Sequence, residues 1–320
     1  MKPQCDPKVD YAFKHVFGRE QNKPILTSLI DAVLQPAAGQ QIESLDLLNP
    51  FNDKEDLDDK LSILDIKARD ESGRQFNIEM QMLAFGAFRQ RALYYWARLH
   101  QAQLQEGKKY RDLRPTIAIC FLDTPLFPDL SDHHLIFELR ERHHHTLFTD
   151  QLAMHILELP KFDKAIDELT TPLDRWLFFL RHAEELDLDR LPAALDFAEI
   201  RLAVGDLMMI TQTELERERY ESRLKAQRDF YAALEDATEK GLSEGREKGI
   251  AEGREQGRQE GRAEGQIARI HSFQRLLHRD LTAIEKLQSL PPQELDSLAA
   301  RLEAELNAKL KNGSDRDTGS

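Results

Sequence analysis

Cysteine is almost absent from this 320-residue chain: Cys5 and Cys120 stand far apart and no Cys-x-x-Cys pair occurs. Neither a disulfide framework nor a structural zinc site is therefore indicated, and a reducing compartment fits. No apolar run approaches the ~20 residues that a bilayer span requires, and the opening Met-Lys-Pro-Gln lacks the apolar centre of a signal peptide. A cytoplasmic protein with no membrane partner is expected. The G-x-G-x-x-G, P-loop, G-x-S-x-G and H-E-x-x-H elements are missing as well, which removes the usual nucleotide-binding and hydrolase alternatives. What is present, 41% hydrophobic residues, is ordinary for a folded chain able to bury one large core or two modest ones.

A net charge of −13 argues at first against nucleic acid, because duplex binding rests largely on Lys and Arg neutralising phosphates. Local counting changes this. Residues 1–150 hold 19 Lys and Arg against 23 Asp and Glu, so most of the negative excess belongs to the C-terminal part. Within residues 60–114 the balance reverses, with 11 basic residues against 6 acidic ones.

Periodicity gives the organisation. Phe13, Val16 and Phe17 recur at helical spacing, and residues 25–34 carry a second apolar stripe, so two N-terminal helices are expected. Three strand-like runs follow at 42–48, 61–69 and 75–82, close enough for an antiparallel meander. Over 85–104 the spacing of Phe88, Leu93, Trp96, Leu99 and Leu104 predicts an amphipathic helix ended by Gly107. Residues 115–122 form a continuous apolar run, the mark of a strand buried on both faces. The order is α, β, β, β, α, β. Further strand-like stretches occupy 135–139 and 152–159, and from Asp163 to about Ala308 the chain reads as helix. Between Gly241 and Gly265 a glycine falls at every fourth position among charged spacers. Each costs a helix interior roughly 0.8 to 1 kcal/mol relative to Ala, so such a helix calls for a partner; the alternative is a solvated, partly helical linker.

The chemistry concentrates in residues 61–82. On the first strand Leu64, Ile66 and Ala68 share one face, leaving Asp65, Lys67 and Arg69 on the other. On the second, Phe76, Ile78, Met80 and Met82 oppose Gln75, Asn77, Glu79 and Gln81. The turn at 70–74, Asp-Glu-Ser-Gly-Arg, suits a five-residue hairpin loop. If Arg69 pairs with Gln75, Asp65 sits directly across from Glu79. Like charges so placed repel, and something cationic is expected between them. A hard ion such as Mg²⁺ takes oxygen ligands and needs only one or two carboxylates besides water and substrate phosphate. A solvated strand face is the alternative. His133, His134 and His143 to His145 could suit a transition metal, but successive histidines on a strand point to opposite faces, so three in a row rarely converge. Tyr94 and Tyr95 fit core packing better than base stacking, and so do Trp176, Phe178 and Phe179.

At this point the sequence resembles the PD-(D/E)XK nuclease superfamily and, more narrowly, the Rpn family of recombination-promoting nucleases and transposases. The resemblance rests on Asp-Tyr-Ala-Phe-Lys-His-Val-Phe-Gly at 10–18, Lys-Leu-Ser-Ile-Leu-Asp-Ile at 60–66, Phe-Asn-Ile-Glu-Met-Gln at 76–81, Arg-Ala-Leu-Tyr-Tyr-Trp at 91–96 and Gly-Lys-Lys-Tyr at 107–110. It implies an α/β fold with a restriction-endonuclease-like αβββαβ core and a mixed sheet, followed by an all-α C-terminal region. By the same resemblance Asp65 is the first acidic residue and Glu79 the acidic residue of the (D/E)XK element, both catalytic and metal-binding. Asp10 matches the acidic residue that some members contribute from the first helix. Gln81 stands where many members have Lys; a neutral amide can position a water or a phosphate oxygen but supplies no charge, so Lys60, Lys67 or Arg91 has to provide it. Lys60, Lys67, Arg89, Arg91 and Arg98 are the expected DNA contacts.

The expected function is a Mg²⁺-dependent DNA endonuclease, with Mn²⁺ as a substitute, limited in sequence preference and linked to recombination, mobile elements or defence. The alternative is a catalytically silent nuclease fold that serves as an oligomeric interaction module. A strand-transfer transposase would need a three-carboxylate pattern that is not visible. The expected divisions are a nuclease-like domain at 1–160, a helical domain at 161–237, a Glu/Gly/Arg-rich helical repeat at 238–270, C-terminal helices at 271–310 and a disordered tail at 311–320. Homo-oligomerisation is expected through the C-terminal helices. The change of composition there also suggests that a C-terminal fragment beginning near Met208 or Met209 binds and restrains the full-length chain. A fragment starting at Met209 should co-purify with it; failure to do so counts against the idea.

Overall fold

The computed structural model describes residues 2–49, 65–82, 86–104 and 107–314, with the backbone alone at Asp65 and at 310–314. Helices α1 (Asp10–Phe17) and α2 (Lys23–Leu34) come first, then strands β1 (Leu45–Leu47), β2 (Asp65–Asp70) and β3 (Gln75–Gln81). Helix α3 (Phe88–Ala102) leads to β4 (Thr116–Leu122), β5 (His134–Glu138) and β6 (Leu152–Glu158). The strands form one mixed sheet in the order β1-β2-β3-β4-β6-β5. β1, β2 and β3 run antiparallel as the expected meander, while β3–β4 and β4–β6 are parallel.

The β2–β3 turn sets the register, and Asp70 holds the turn. Its carboxylate accepts the Ser72 hydroxyl at 2.8 Å, the Arg74 backbone N–H at 2.8 Å and Arg74 Nε at 2.6 Å. Gly73 takes the left-handed φ of 89° that this loop demands. Arg69 therefore pairs with Gln75 and, four residues back along β2, Asp65 pairs with Glu79.

One sheet face carries Ile66, Phe76, Ile78, Ile119, Phe121 and Leu157 into the main core. α1 and α2 cover it, with Phe13 packed on Phe121 at 6.2 Å between ring centroids. So do α4 (Pro172–His182) and α5 (Ala198–Ile210), where Trp176 and Phe179 meet the edge of Phe17. Thr171 and Asp174 cap α4 reciprocally, and Pro172 begins it. Burial works against the Asp174 carboxylate, but the Lys164 ammonium and the amides of Thr170 and Thr171 outweigh it and hold its pKa at about 2.

Residues 1–229 make one compact unit. The stretch after residue 160, expected as a separate helical domain, thus shares the core of the sheet, because α4 and α5 bury their apolar stripes on α1 and α2. Residues 183–195 form short 3-10 turns in place of continuous helix. α3 ends at Ala102, earlier than a Gly107 stop would have it. The second unit covers 230–320 and has its own core, built by Ile267 and Ile270 of helix α6 (Glu214–Leu276) and Leu277 just after it, with Leu287 of α7 (Ile284–Gln288) and Leu295, Ala299 and Leu302 of α8 (Pro292–Ser314). α8 runs through residue 314, into the segment expected as a tail. The seven regularly spaced glycines all lie inside α6, and a Cβ at any of them would meet nothing within 4 Å. No helix among the described residues is long and apolar enough to cross a membrane.

Replacing Asp70 by Ala removes the acceptor of three hydrogen bonds in a buried site. It should destabilise the first unit by about 1–3 kcal/mol in urea denaturation. An unchanged midpoint would show that the turn does not depend on this carboxylate.

Candidate functional site

Alternation along β3 separates its side chains. Phe76, Ile78 and Met80 enter the main core, whereas Asn77, Glu79 and Gln81 point to the opposite face. The sequence suggests that this second face is simply polar. In the structure α3 and its neighbours cover it: Phe88 and Ala92 of α3 form a smaller core with Cys120, Leu122 and Ile156. Trp96 Nε1 donates to the Thr116 carbonyl at 2.7 Å, and His100 lies 3.0 Å from the Thr116 hydroxyl. Asn77 and Glu79 are each 1% exposed as a result.

A carboxylate this deep has to be met by donors or cations. Asn77 Nδ2 donates to Glu79 Oε1 at 2.8 Å, while Asn77 Oδ1 is buried with no hydrogen-bond partner. Asp65 occupies the position of β2 directly opposite Glu79, and Cys120 the position of β4 on its other side. Burial first, and the Glu79 charge second, push the Cys120 thiol well above its usual pKa. Cys5 is raised to about 12, chiefly by burial, with Glu184 and Asp6 adding to it.

Gln81 has a cationic neighbour. Arg91, one turn into α3, donates from Nη2 to Gln81 Oε1 at 2.8 Å. Its Nε is buried and has no hydrogen-bond partner, and its charge is felt at Cys120. Arg98 lies seven residues further on, which brings it to the same side of α3 two turns along, and it is exposed. Lys67 pairs with Asn77 across β2 and β3. Arg89 is placed differently: it sits over the Phe127 ring at 4.6 Å and donates to the Leu126 carbonyl at 3.1 Å. Asp10 starts α1, on the side of the sheet that holds the main core. Its carboxyl accepts the Tyr11 N–H at 2.6 Å and is raised by burial, against the pull of Arg223 and Lys14. Lys60 lies outside the described residues. Tyr94 and Leu93, expected to pack inward, are 60% and 49% exposed, because α3 turns Phe88, Ala92 and Leu99 toward the sheet instead.

The oxygen and amide groups of Glu79, Asn77 and Gln81, with an aspartate at the facing position, form a donor set suited to a hard cation and not to a soft one. No cluster of three or more metal-ligating side chains occurs among the described residues, and the Asp65 side chain is not among them. The histidine pair that does form is a different one: His134 Nε2 lies 2.9 Å from His155 Nδ1, and each pKa is lowered to about 4, chiefly by burial, with His133 the second cause at His134 and His134 the second cause at His155. The two residues are 21 apart, so only strand pairing could reveal them. His143 to His145 occupy an exposed turn whose amides bond Glu141. A cleft of about 900 Å³ lies elsewhere, lined by residues such as Lys23, Asp31, Glu43, Thr171 and Glu199. It holds none of the residues of the carboxylate pair.

An antiparallel β1–β2–β3 arm with acidic residues facing across β2 and β3, a helix laid over that face and a parallel β4 together define the restriction-endonuclease-like α/β class. Residues 7–237 match the family model described as PD-(D/E)XK nuclease family transposase, and the chain belongs to that family. No curated protein and no solved structure gives a match. The family carries nuclease activity in general, and divalent metals are typical of it.

Both thiols are buried and held protonated, so neither should react with an aromatic disulfide reagent at pH 8 until the chain unfolds. Rapid labelling of the native protein at Cys120 would mean that the cover over Glu79 opens readily.

Proposed function

We propose that this chain is a DNA endonuclease that uses Mg²⁺, with Mn²⁺ able to replace it, to hydrolyse phosphodiester bonds with limited sequence preference. The observation that carries the reading is the direct pairing of positions 65 and 79, two carboxylate residues on neighbouring antiparallel strands. When bound, the ion would lower the pKa of a water and offset charge on the scissile phosphate. Asp65 and Glu79 would hold it, with Asn77 keeping the Glu79 carboxylate oriented. Gln81 would position a water or a phosphate oxygen. Arg91, hydrogen-bonded to Gln81, would supply the positive charge that an amide cannot. Its unpartnered Nε supports this role, because a buried guanidinium donor without an acceptor is costly unless a ligand meets it. Arg98 and Lys67 would extend phosphate contact on either side. Asp10 would enter only through a metal-bound water. Arg89, engaged with Leu126 and Phe127, would add charge at the rim, and Lys60 remains a DNA contact by resemblance alone.

The family description includes transposition, and this favours a second reading in which cut ends are joined to new DNA. The two readings differ in product: hydrolysis leaves nicked or linear DNA, and strand transfer leaves joined molecules.

Purified full-length protein should nick plasmid DNA with Mg²⁺ and stop on chelation. Asp65→Ala and Glu79→Ala should reduce cutting to background, while Arg91→Ala should lower it by about 10²-fold and Arg91→Lys less. Cleavage that persists in both carboxylate variants would sink the assignment. Wild-type protein that binds DNA but never cuts would support an interaction module instead.

A further inference from the structure

Helix α3 bears no acidic residue, and neither does any position from Leu83 to Gln105, in a chain whose net charge is −13. Arg91, Tyr94 and Arg98 stand at i, i+3 and i+7, so they line one flank of the helix. Arg91 begins this flank beside Gln81, and Arg98 follows ~10 Å further along the axis. Tyr94, between them, is exposed, and Tyr95 braces its ring at 5.4 Å between centroids.

Past the end of α3, residues 107–114 read Gly-Lys-Lys-Tyr-Arg-Asp-Leu-Arg, four cations against one acid. Gln103 ties this segment to the helix: its Nε2 donates to the Arg114 carbonyl and its Oε1 accepts the Arg114 N–H, both at 3.0 Å. Asp112 accepts the Lys109 N–H at 2.9 Å and closes a single turn over Tyr110–Asp112. Its other oxygen lies 4.0 Å from Arg111 Nε, and among the described residues Lys108, Lys109 and Arg114 have no acidic partner. Tyr110, in the middle of these cations, is 82% exposed. Thr116, just beyond, pairs with Gln75 at the end of β3 remote from Gln81. Six steps of ~3.3 Å along β3 put the turn ~20 Å from Gln81.

The charge points to a phosphate backbone, and the rings point to its form. A duplex shows phosphates and sugar edges on its outside while its bases stack on one another. An unpaired strand instead offers base faces, and exposed aromatics set among cations are what such a strand stacks on. An acidic peptide would also match the charge, but the flank begins at Arg91, whose bond to Gln81 joins it to the strand that carries Glu79.

We propose that the Arg91–Tyr94–Arg98 flank and the 108–111 turn form a track for an unpaired strand leading away from the carboxylate pair. Bases stack on Tyr94 and Tyr110, and phosphates meet Arg98, Lys108, Lys109 and Arg111. The proposal rests on the nuclease reading and names its substrate as DNA with a single-stranded arm.

Binding measured in chelator separates the track from the chemistry. By fluorescence anisotropy, full-length protein should bind a labelled thymidine oligomer of about 20 nucleotides more tightly than a duplex of equal length. Tyr110→Ala should weaken the oligomer about tenfold, Tyr110→Phe should not, and duplex affinity should change less than about twofold in either. Lys108→Ala combined with Lys109→Ala should lower the slope of log affinity for the oligomer against log salt by about 1.4. Indifference of the oligomer to Tyr110→Ala would overturn the proposal, as would a duplex bound as tightly as the oligomer, or no binding of either. A protein that cuts plasmid with Mg²⁺ yet fails these tests lacks the track alone, whereas one that passes them but never cuts keeps the strand-binding surface and loses the nuclease reading.

Discussion

The register of β2 against β3 is the constraint on which the rest of the site depends. Side chains of a strand alternate with period two, so a slip of one residue would carry Glu79 into the apolar core and turn Ile78 onto the acidic face. The Asp70 carboxylate prevents this by binding Ser72 and Arg74 across a loop whose Gly73 supplies the left-handed residue. A polar clasp of five residues thereby places two acidic positions opposite one another.

Covering that face gives the pairing its chemical consequence. On an open strand Glu79 would be a solvated carboxylate of no distinction. Under α3 it is shut away from water, next to a buried amide and beside the Cys120 thiol, which feels the charges of both Glu79 and Arg91. In such surroundings charges interact more strongly than in water and an uncompensated carboxylate is costly. Arg91 answers the same constraint from the side, since its bond to Gln81 brings a cation to the strand position that lacks a lysine.

Much of this was legible from residue order. The helices near residues 10 and 25, the six strands and the hairpin follow from apolar periods and a turn with the right residues, and the pairing of Arg69 with Gln75 puts Asp65 across from Glu79. Other features were not. Leu93 and Tyr94 look apolar and inward-facing, but α3 rotates them toward solvent because Phe88 and Ala92 fit the small core over Cys120 and Ile156. The helical stretch after residue 160 reads as a new domain, yet Trp176 and Phe179 complete the core begun by Phe13 and Phe17. The His134–His155 contact joins residues 21 apart on paired strands, which no run of adjacent histidines signals.

By itself the sequence determined which residues alternate, where the chain turns and hence which acidic positions pair across the hairpin, because these depend on local geometry repeated every two or 3.6 residues. Only the tertiary structure decided which sheet face is sealed, which of three arginines on one helix reaches Gln81 and which strand stands last in the sheet order. Those outcomes depend on how a helix rotates and docks on a sheet, an arrangement set by the fit of side chains far apart in the chain, which no local period encodes.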